Sequence, residues 1–472
     1  MLFERFEAEG LAHFSYAVGC PAAGEIAIVD PKRDIDTYLD FAQANDVQIT
    51  HILETHIHAD YASGARKLAE STGATLWASG YDHDEMFEMA FTHKDLFEGN
   101  VIELGAVRIE PLHTPGHTPE HLSFLVYDCT RSPLVPMLML SGDFLFVGSL
   151  GRPDLLGAEA KRALAVKLYH SAQVKIEHLP DGLEIHPAHG AGSLCGSGMS
   201  GRPVSTLGYE RIANPYLNKQ LSEEQFVEQI LATVPPFPEY YKRMKKINSR
   251  GPKLLDDLPG SKRLSPEEAW GHVQEGHAVI DLRDPLTFSA GHIPGALAIG
   301  AGASVSTWAS WVMPYDTPIL LVVSDEESAE SAVRSLIRVG LDDIRGYLCG
   351  GMETWLEAGY PVRSLKMVSP VDLNHSLQNN GTVNVLDVRN VEEWHSGHIS
   401  DSIHIMAGQL LDNLGHLPKE VGQLAVVCSS GYRSMVASSL LARAGFENLV
   451  NVAGGIGAWK RAGLPLTQNG RI

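Results

Sequence analysis

Residues 55–61 read Thr-His-Ile-His-Ala-Asp-Tyr. His56, His58 and Asp60 place three metal-ligating side chains within five residues, directly after Gln48–Glu54, which reads as a strand. Further along, Thr114-Pro115-Gly116-His117, Ser141-Gly142-Asp143 and Pro187-Ala188-His189 each put a donor at a loop or strand end. A single histidine on an apolar face is usually a packed core residue. Several deprotonated N and O donors on loops at strand ends are what a borderline cation requires, and such loops are where a rigid scaffold carries function.

Outward from this stretch, the first half alternates short apolar runs with Gly-rich turns. Glu25–Asp30, Met137–Leu140 and Leu183–Ile185 read as strands, Val101–Pro111 as a hairpin, and 62–71 and 158–170 as helices. Ser222 and Gln225 form a capping box that starts a helix over 222–232. Pro235-Pro236-Phe237-Pro238 breaks it, and residues 235–260 read as a linker or strap.

After that seam the chain repeats. Ser265-Pro266 recurs as Ser369-Pro370, Asp281-Leu282-Arg283 as Asp387-Val388-Arg389, Gly291-His292-Ile293 as Gly397-His398-Ile399, and Gly350-Gly351 with Trp355 as Gly454-Gly455 with Trp459. Register held over that length is internal duplication. Each copy reads as an α/β unit with a parallel sheet. The expected domains are 1–234, 261–365 and 366–472, with 235–260 between the first two.

The composition agrees with a multidomain globular chain. It has 472 residues, 44% hydrophobic and 20% charged. Lys and Arg total 37 against 57 Asp and Glu, a net charge of −20, which disfavours nucleic acid and anionic membrane as partners. Twenty-one histidines point toward metal. Five scattered cysteines without a CxxC suit a reducing compartment. Residues 1–9 lack an apolar signal core, so a cytoplasmic location is expected. A homo-oligomer is left open.

The histidine and aspartate series resembles the metallo-β-lactamase superfamily over about residues 1–230. Within it the series looks like the glyoxalase-II group, and Gly151-Arg152-Pro153-Asp154 is similar to its persulfide dioxygenase branch. The resemblance implies an αββα sandwich with the metal at one sheet edge. Two-metal members read HxHxDH, whereas Tyr61 follows Asp60 here. A phenol is a poor substitute for imidazole, so the second metal position loses a ligand. His56, His117 and Asp143 remain as a 2-His-1-carboxylate set with open positions, suited to one Fe(II) binding O₂. The family carry-over selects the same three. His58, Asp60 and His189 are then orienting groups or a remnant second-metal set, with His58 not excluded as a ligand. The resemblance gives Arg152 the role of holding a substrate carboxylate. Cys195, six residues past His189, either contacts a persulfide or is a small buried residue in a tight loop.

In the last copy, the apolar run Leu424–Val427 ends at Cys428, followed by Ser429-Ser430-Gly431-Tyr432-Arg433 and a helix. Backbone N–H groups and a helix N-terminus there favour a thiolate and an anionic persulfide, with Arg433 placed to hold an anionic donor. With Asp387, Arg389, Gly397-His398-Ile399 and Gly454-Gly455 this segment resembles a rhodanese domain. Counting from the Ser-Pro and Gly-Gly landmarks, Ser324, Glu327 and Ala329 fall at the positions of Cys428, Gly431 and Arg433, so the middle copy is expected to be an inactive rhodanese.

The combined expectation is an iron persulfide dioxygenase that oxidises a low-molecular-weight thiol persulfide with O₂ to sulfite and thiol. It is joined to an inactive and an active rhodanese domain, the latter handling thiosulfate or sulfite through Cys428. The alternative is a zinc glyoxalase-II-like thioester hydrolase with a sulfurtransferase tail.

Overall fold

The computed structural model describes residues 1–379, 383–417 and 422–468. The end of the expected third domain, 469–472, lies outside the described residues. The chain divides into two compact units, 1–256 with 337–340, and 257–336 with 341–472.

The first unit holds two six-stranded sheets. The first runs Leu2–Ala8, His13–Cys20, Glu25–Val29, Gln48–Leu53, Thr75–Ser79 and Lys94–Leu96 in sequence order. It is antiparallel through Glu25–Val29 and parallel beyond. In the second sheet, Leu138–Gly142 lies between Leu122–Asp128 (antiparallel) and Glu184–Pro187 (parallel). Phe14, Tyr16 and Val18 of one sheet and Leu122, Phe124 and Val126 of the other share one buried core, so the sheets pack face to face. Helices Asp36–Ala44 and Ala65–Thr72 bury Tyr38, Ala42, Ala65 and Leu68 on the outer face of the first sheet. Lys161–His170 and Glu223–Ala232 cover the second through Leu168, Phe226 and Ile230. This is the αββα sandwich. The helix Glu223–Ala232 starts at the Ser222/Gln225 capping box read from the sequence.

Residues 235–260 contain more than a linker: they include the helix Tyr240–Arg250, which buries Tyr241, Met244, Lys245 and Asn248. Its basic sequence hides this, because the buried positions include a lysine and an asparagine.

The second unit holds two five-stranded sheets, all parallel and in the same strand order. In one copy Asp281 pairs with Val322; in the other Asp387 pairs with Val427. Val323 therefore occupies the place of Cys428, an offset of 105 (428 less 323), and the sequence-based match to Ser324 is one residue out. The cause is a bulge: Ile319 pairs with Ile344 but Leu320 pairs with Gly346, so Arg345 is an extra residue between that loop and the Gly-Gly landmark. With the same offset, Glu326 matches Gly431 and Ser328 matches Arg433.

Candidate metal centre and sulfur-transfer loop

Thr55–Tyr61 leaves the C-terminal end of Gln48–Leu53 in a fully buried loop. His56, His117 and Asp143 come together from three separate loops, each with a donor atom within 4.8 Å of the others. Asp143 Oδ2 lies 3.3 Å from His117 Nε2 and 3.9 Å from His56 Nε2. All three of these atoms are buried and have no hydrogen-bond partner among the described residues. Buried polar atoms are rarely left unpaired, so three orphaned lone pairs facing one point fit a cation.

Each donor is aimed from behind. Thr55 Oγ1 is 2.9 Å from His56 Nδ1. His117 Nδ1 donates to the Arg152 carbonyl at 2.8 Å. Asp143 Oδ1 is bound by His189 Nδ1 at 2.6 Å, and the Asp143 N–H donates to His121 Nε2 at 3.0 Å. Such outer partners set tautomer and ring orientation. Burial drives the His117 pKa down to about 4 and that of His56 well below the usual range, so both rings are neutral, the state a metal requires. Burial opposes ionisation of Asp143, but His189 and His117 outweigh it and hold the carboxyl well below the normal range.

The other expected residues lie close by with different duties. His58 Nε2 sits 3.1 Å from Asp30 Oδ1 and 3.0 Å from Glu54 Oε2. These carboxylates overcome burial and raise its pKa well above normal, so the ring is held as a cation and groups with Asp30 and Glu54 rather than with the His56 set. His189 Nε2 lies 2.7 Å from Asp60 Oδ2; Asp143 and Asp60 together outweigh burial and lift its pKa to about 10. Tyr61 is buried, lies with its ring 4.0 Å from that of His13 and tilted by 38°, and donates to the Asp30 carbonyl. Burial raises its phenol well above normal, which keeps the proton on. Cys195 is buried 3.7 Å from Tyr241 Oη, and burial pushes its thiol up.

Arg152 departs from its expected task. Its guanidinium donates to both oxygens of Asp154 and to the carbonyls of Leu194 and Pro235, at 2.6–3.0 Å. The fork is used up bracing loops, and only the backbone carbonyl of Arg152 serves the site.

Several supporting residues carry no sequence signal. Asp30 takes the N–H and hydroxyl of Thr55 at 2.7 and 2.8 Å. The helix Tyr240–Arg250 clamps the ligand loop. Lys245 Nζ donates to the Ile57 carbonyl at 2.8 Å, and Asn248 Nδ2 to the His58 and Tyr61 carbonyls at 2.8 and 2.7 Å. Glu120 accepts from the Ile57 N–H at 3.0 Å. The spacing 241, 245, 248 puts these side chains on one helix face.

The second constellation follows the strand Gln423–Val427. Cys428 Sγ accepts from the Gly431 N–H at 3.1 Å and from Ser434 Oγ at 3.4 Å, and the helix Tyr432–Arg443 begins there. Gly431 has φ 102, a left-handed conformation that turns its N–H toward the sulfur. Arg433 forms a two-pronged pair with Glu393, 2.7 Å in each arm, and donates to Ser429 Oγ at 2.7 Å. Ser429 also donates to Glu393. Burial works against the Glu393 carboxylate, but Arg433 and Ser429 prevail and hold its pKa at about 2. The paired guanidinium braces the loop, another difference from the sequence reading, in which it held a donor.

The family comparisons match these two constellations. The metallo-beta-lactamase superfamily profile matches residues 8–181, and the rhodanese-like domain profile matches 265–358 and 369–462. The chain belongs to the metallo-β-lactamase superfamily, with two C-terminal rhodanese domains. A solved metallo-beta-lactamase from Staphylococcus aureus is 34% identical with a TM-score of 0.67, covering 74% of this chain and 99% of that one. The human mitochondrial persulfide dioxygenase ETHE1 is 29% identical over 46% of this chain and 74% of its own length. The hydroxyacylglutathione hydrolase GloC of Haemophilus influenzae is 26% identical over 41% of this chain and 88% of its own.

Among the described residues no helix is long and apolar enough to cross a membrane.

Proposed function

We propose that this chain is a mononuclear iron persulfide dioxygenase coupled to rhodanese sulfur transfer. The observation that carries the reading is the set of three orphaned donors, two imidazoles and one carboxylate, with a protonated phenol at Tyr61 where a second metal would need an imidazole. Iron(II) bound by His56, His117 and Asp143 would supply O₂ activation at its open positions. The balanced reaction is RSSH + O₂ + H₂O → RSH + SO₃²⁻ + 2H⁺.

The chain's own residues set the conditions. Thr55 and the Arg152 carbonyl fix the two imidazoles, and His189 holds the second oxygen of Asp143. The buried loop keeps bulk water from the reacting sulfur. In the C-terminal domain the Cys428 thiolate attacks the sulfane sulfur of thiosulfate. A new S–S bond forms, the bond to the sulfonate breaks, and sulfite leaves with the electron pair. A thiol then takes the sulfur as a persulfide and frees the thiolate, a ping-pong sequence. All five cysteines are unpaired, in keeping with a reducing, cytoplasmic setting.

The test is metal analysis of the purified chain combined with oxygen uptake on adding glutathione persulfide. Bound iron with persulfide-dependent uptake is expected. The hydrolase relatives give a second reading weight, and zinc with thioester cleavage and no uptake would establish it instead.

A further inference from the structure

With Arg433 closed onto Glu393, the Cys428 loop needs another cation if its donor is an anion. Arg389 does not supply one: it is bound to both oxygens of Asp387 and to the carbonyls of Glu393 and Gly397. One arginine near the loop is uncommitted. Arg461, the last residue of the helix Gly455–Arg461, is exposed and forms no hydrogen bond or ion pair among the described residues.

Its reach is set by two glycines. The helix starts against the loop, with the Ile456 and Gly457 N–H groups donating to the carbonyls of Cys428 and Ser429 at 2.7 and 2.9 Å. A Cβ at Gly457 would lie 3.0 Å from the Ser429 oxygen and 3.6 Å from Arg461 Nη1; one at Gly454 would lie 3.8 Å from Nη2. The guanidinium thus folds back along the bare first turn toward the backbone that follows Cys428.

The duplicate supplies an internal control. From the Gly-Gly landmark onward the copies match with an offset of 104, as Val452 and Leu348 pair with Val368 and Leu264 in the two sheets. Arg461 then corresponds to Glu357, and Gly457 to Glu353. The copy that keeps the cysteine has a cation over a cleared surface. The copy that lost it has two carboxylates on the same helix face, which would repel any anionic donor.

We infer that Arg461 is the residue that binds the anionic sulfur donor at the Cys428 loop. This rests on the sulfur-transfer reading above. The donor class is an oxyanion of sulfur, with thiosulfate as its simplest member. Arg461 takes the departing sulfonate end while the sulfane sulfur meets Cys428.

The experiment uses the full chain with thiosulfate as donor and cyanide as acceptor. Arg461→Ala raises KM for thiosulfate about tenfold, as expected for losing one charge-assisted contact, with kcat within about threefold. Arg461→Lys recovers part of the loss and Arg461→Glu deepens it. KM of the unaltered protein climbs with ionic strength while that of Arg461→Ala stays nearly flat. Arg461→Ala leaves KM for cyanide within about twofold, because in a ping-pong sequence the anionic donor has left before cyanide attacks the Cys428 persulfide. An unchanged thiosulfate KM in both Arg461→Ala and Arg461→Glu overturns the inference, as does an equal rise in KM for cyanide. If the unaltered protein transfers no sulfur at all, the sulfur-transfer reading falls instead.

Discussion

The two rhodanese copies share strand order, the Asp-Arg brace and the buried tryptophan, yet differ wherever chemistry is concerned. Arg283 grips Asp281 and the Gly291 carbonyl as Arg389 grips Asp387 and the Gly397 carbonyl. Trp355 and Trp459 each donate to a proline carbonyl six residues on, at 3.0 and 2.9 Å. Against that common frame, Cys428 is matched by Val323, Gly431 by Glu326, Arg433 by Ser328 and, counting from the Asp-Arg brace, Glu393 by Thr287. The scaffold and the loop are separable: one is shared by both copies, while of the loop's working parts only Ser429, matched by Ser324, is the same in both. Both brace partners differ between the copies, although Glu393 also caps its own helix by accepting from the Asn390 N–H at 3.1 Å.

The sharpest way to break this contrast is at the cysteine. Cys428→Ser is expected to lower thiosulfate:cyanide transfer by about a thousandfold or more and to leave persulfide-dependent O₂ uptake intact. Adding Val323→Cys to that variant restores nothing, because Glu326 has replaced the glycine whose left-handed turn presents an N–H to the sulfur. Recovered transfer would show that the middle loop is still competent. The next largest effect concerns packing. Met435, on the helix that follows Cys428, is buried in the core of the middle copy beside Phe288, Leu320 and Trp355. Met435→Ala should cost about 2–4 kcal/mol, and denaturant unfolding followed through near-UV circular dichroism should show both copies shifting together. Two independent transitions would mean that the copies are separate folding units.

The smallest effect is at Glu393→Gln, which should lower stability by less than about 1 kcal/mol, since the pair with Arg433 is part-exposed. The sign follows from a carboxyl whose folded pKa, about 2, lies below its unfolded value. Its contribution is complete above the unfolded pKa and vanishes as pH falls through the folded one. The difference in melting temperature between unaltered protein and variant should therefore persist from pH 8 to about 5 and close toward pH 2. A difference that grows on acidification would contradict the brace.

The sequence made the αββα unit and the tandem copies legible because both announce themselves through short motifs at strand ends. It also grouped His56, His117 and Asp143 correctly in space. Three things were hidden. Asp30, Glu120, Lys245 and Asn248 support the ligand loop from distant segments, and an isolated Asp or Lys has no pattern to betray it. The buried face of Tyr240–Arg250 is partly polar, so it reads as solvent-facing. The Val323 match depends on one bulged residue, Arg345, which landmarks on either side cannot locate.

Met435 has a further consequence, together with Ser439, whose hydroxyl accepts from the Ala298 N–H of the middle copy at 3.1 Å. Because a helix of the last copy forms part of its neighbour's interior, the middle copy is a structural support for the last. Deleting it would bare Met435 and take from Ser439 the Ala298 N–H, leaving only its own bond to the Val436 carbonyl. Packing thus ties the two copies together, whatever chemistry the middle one performs.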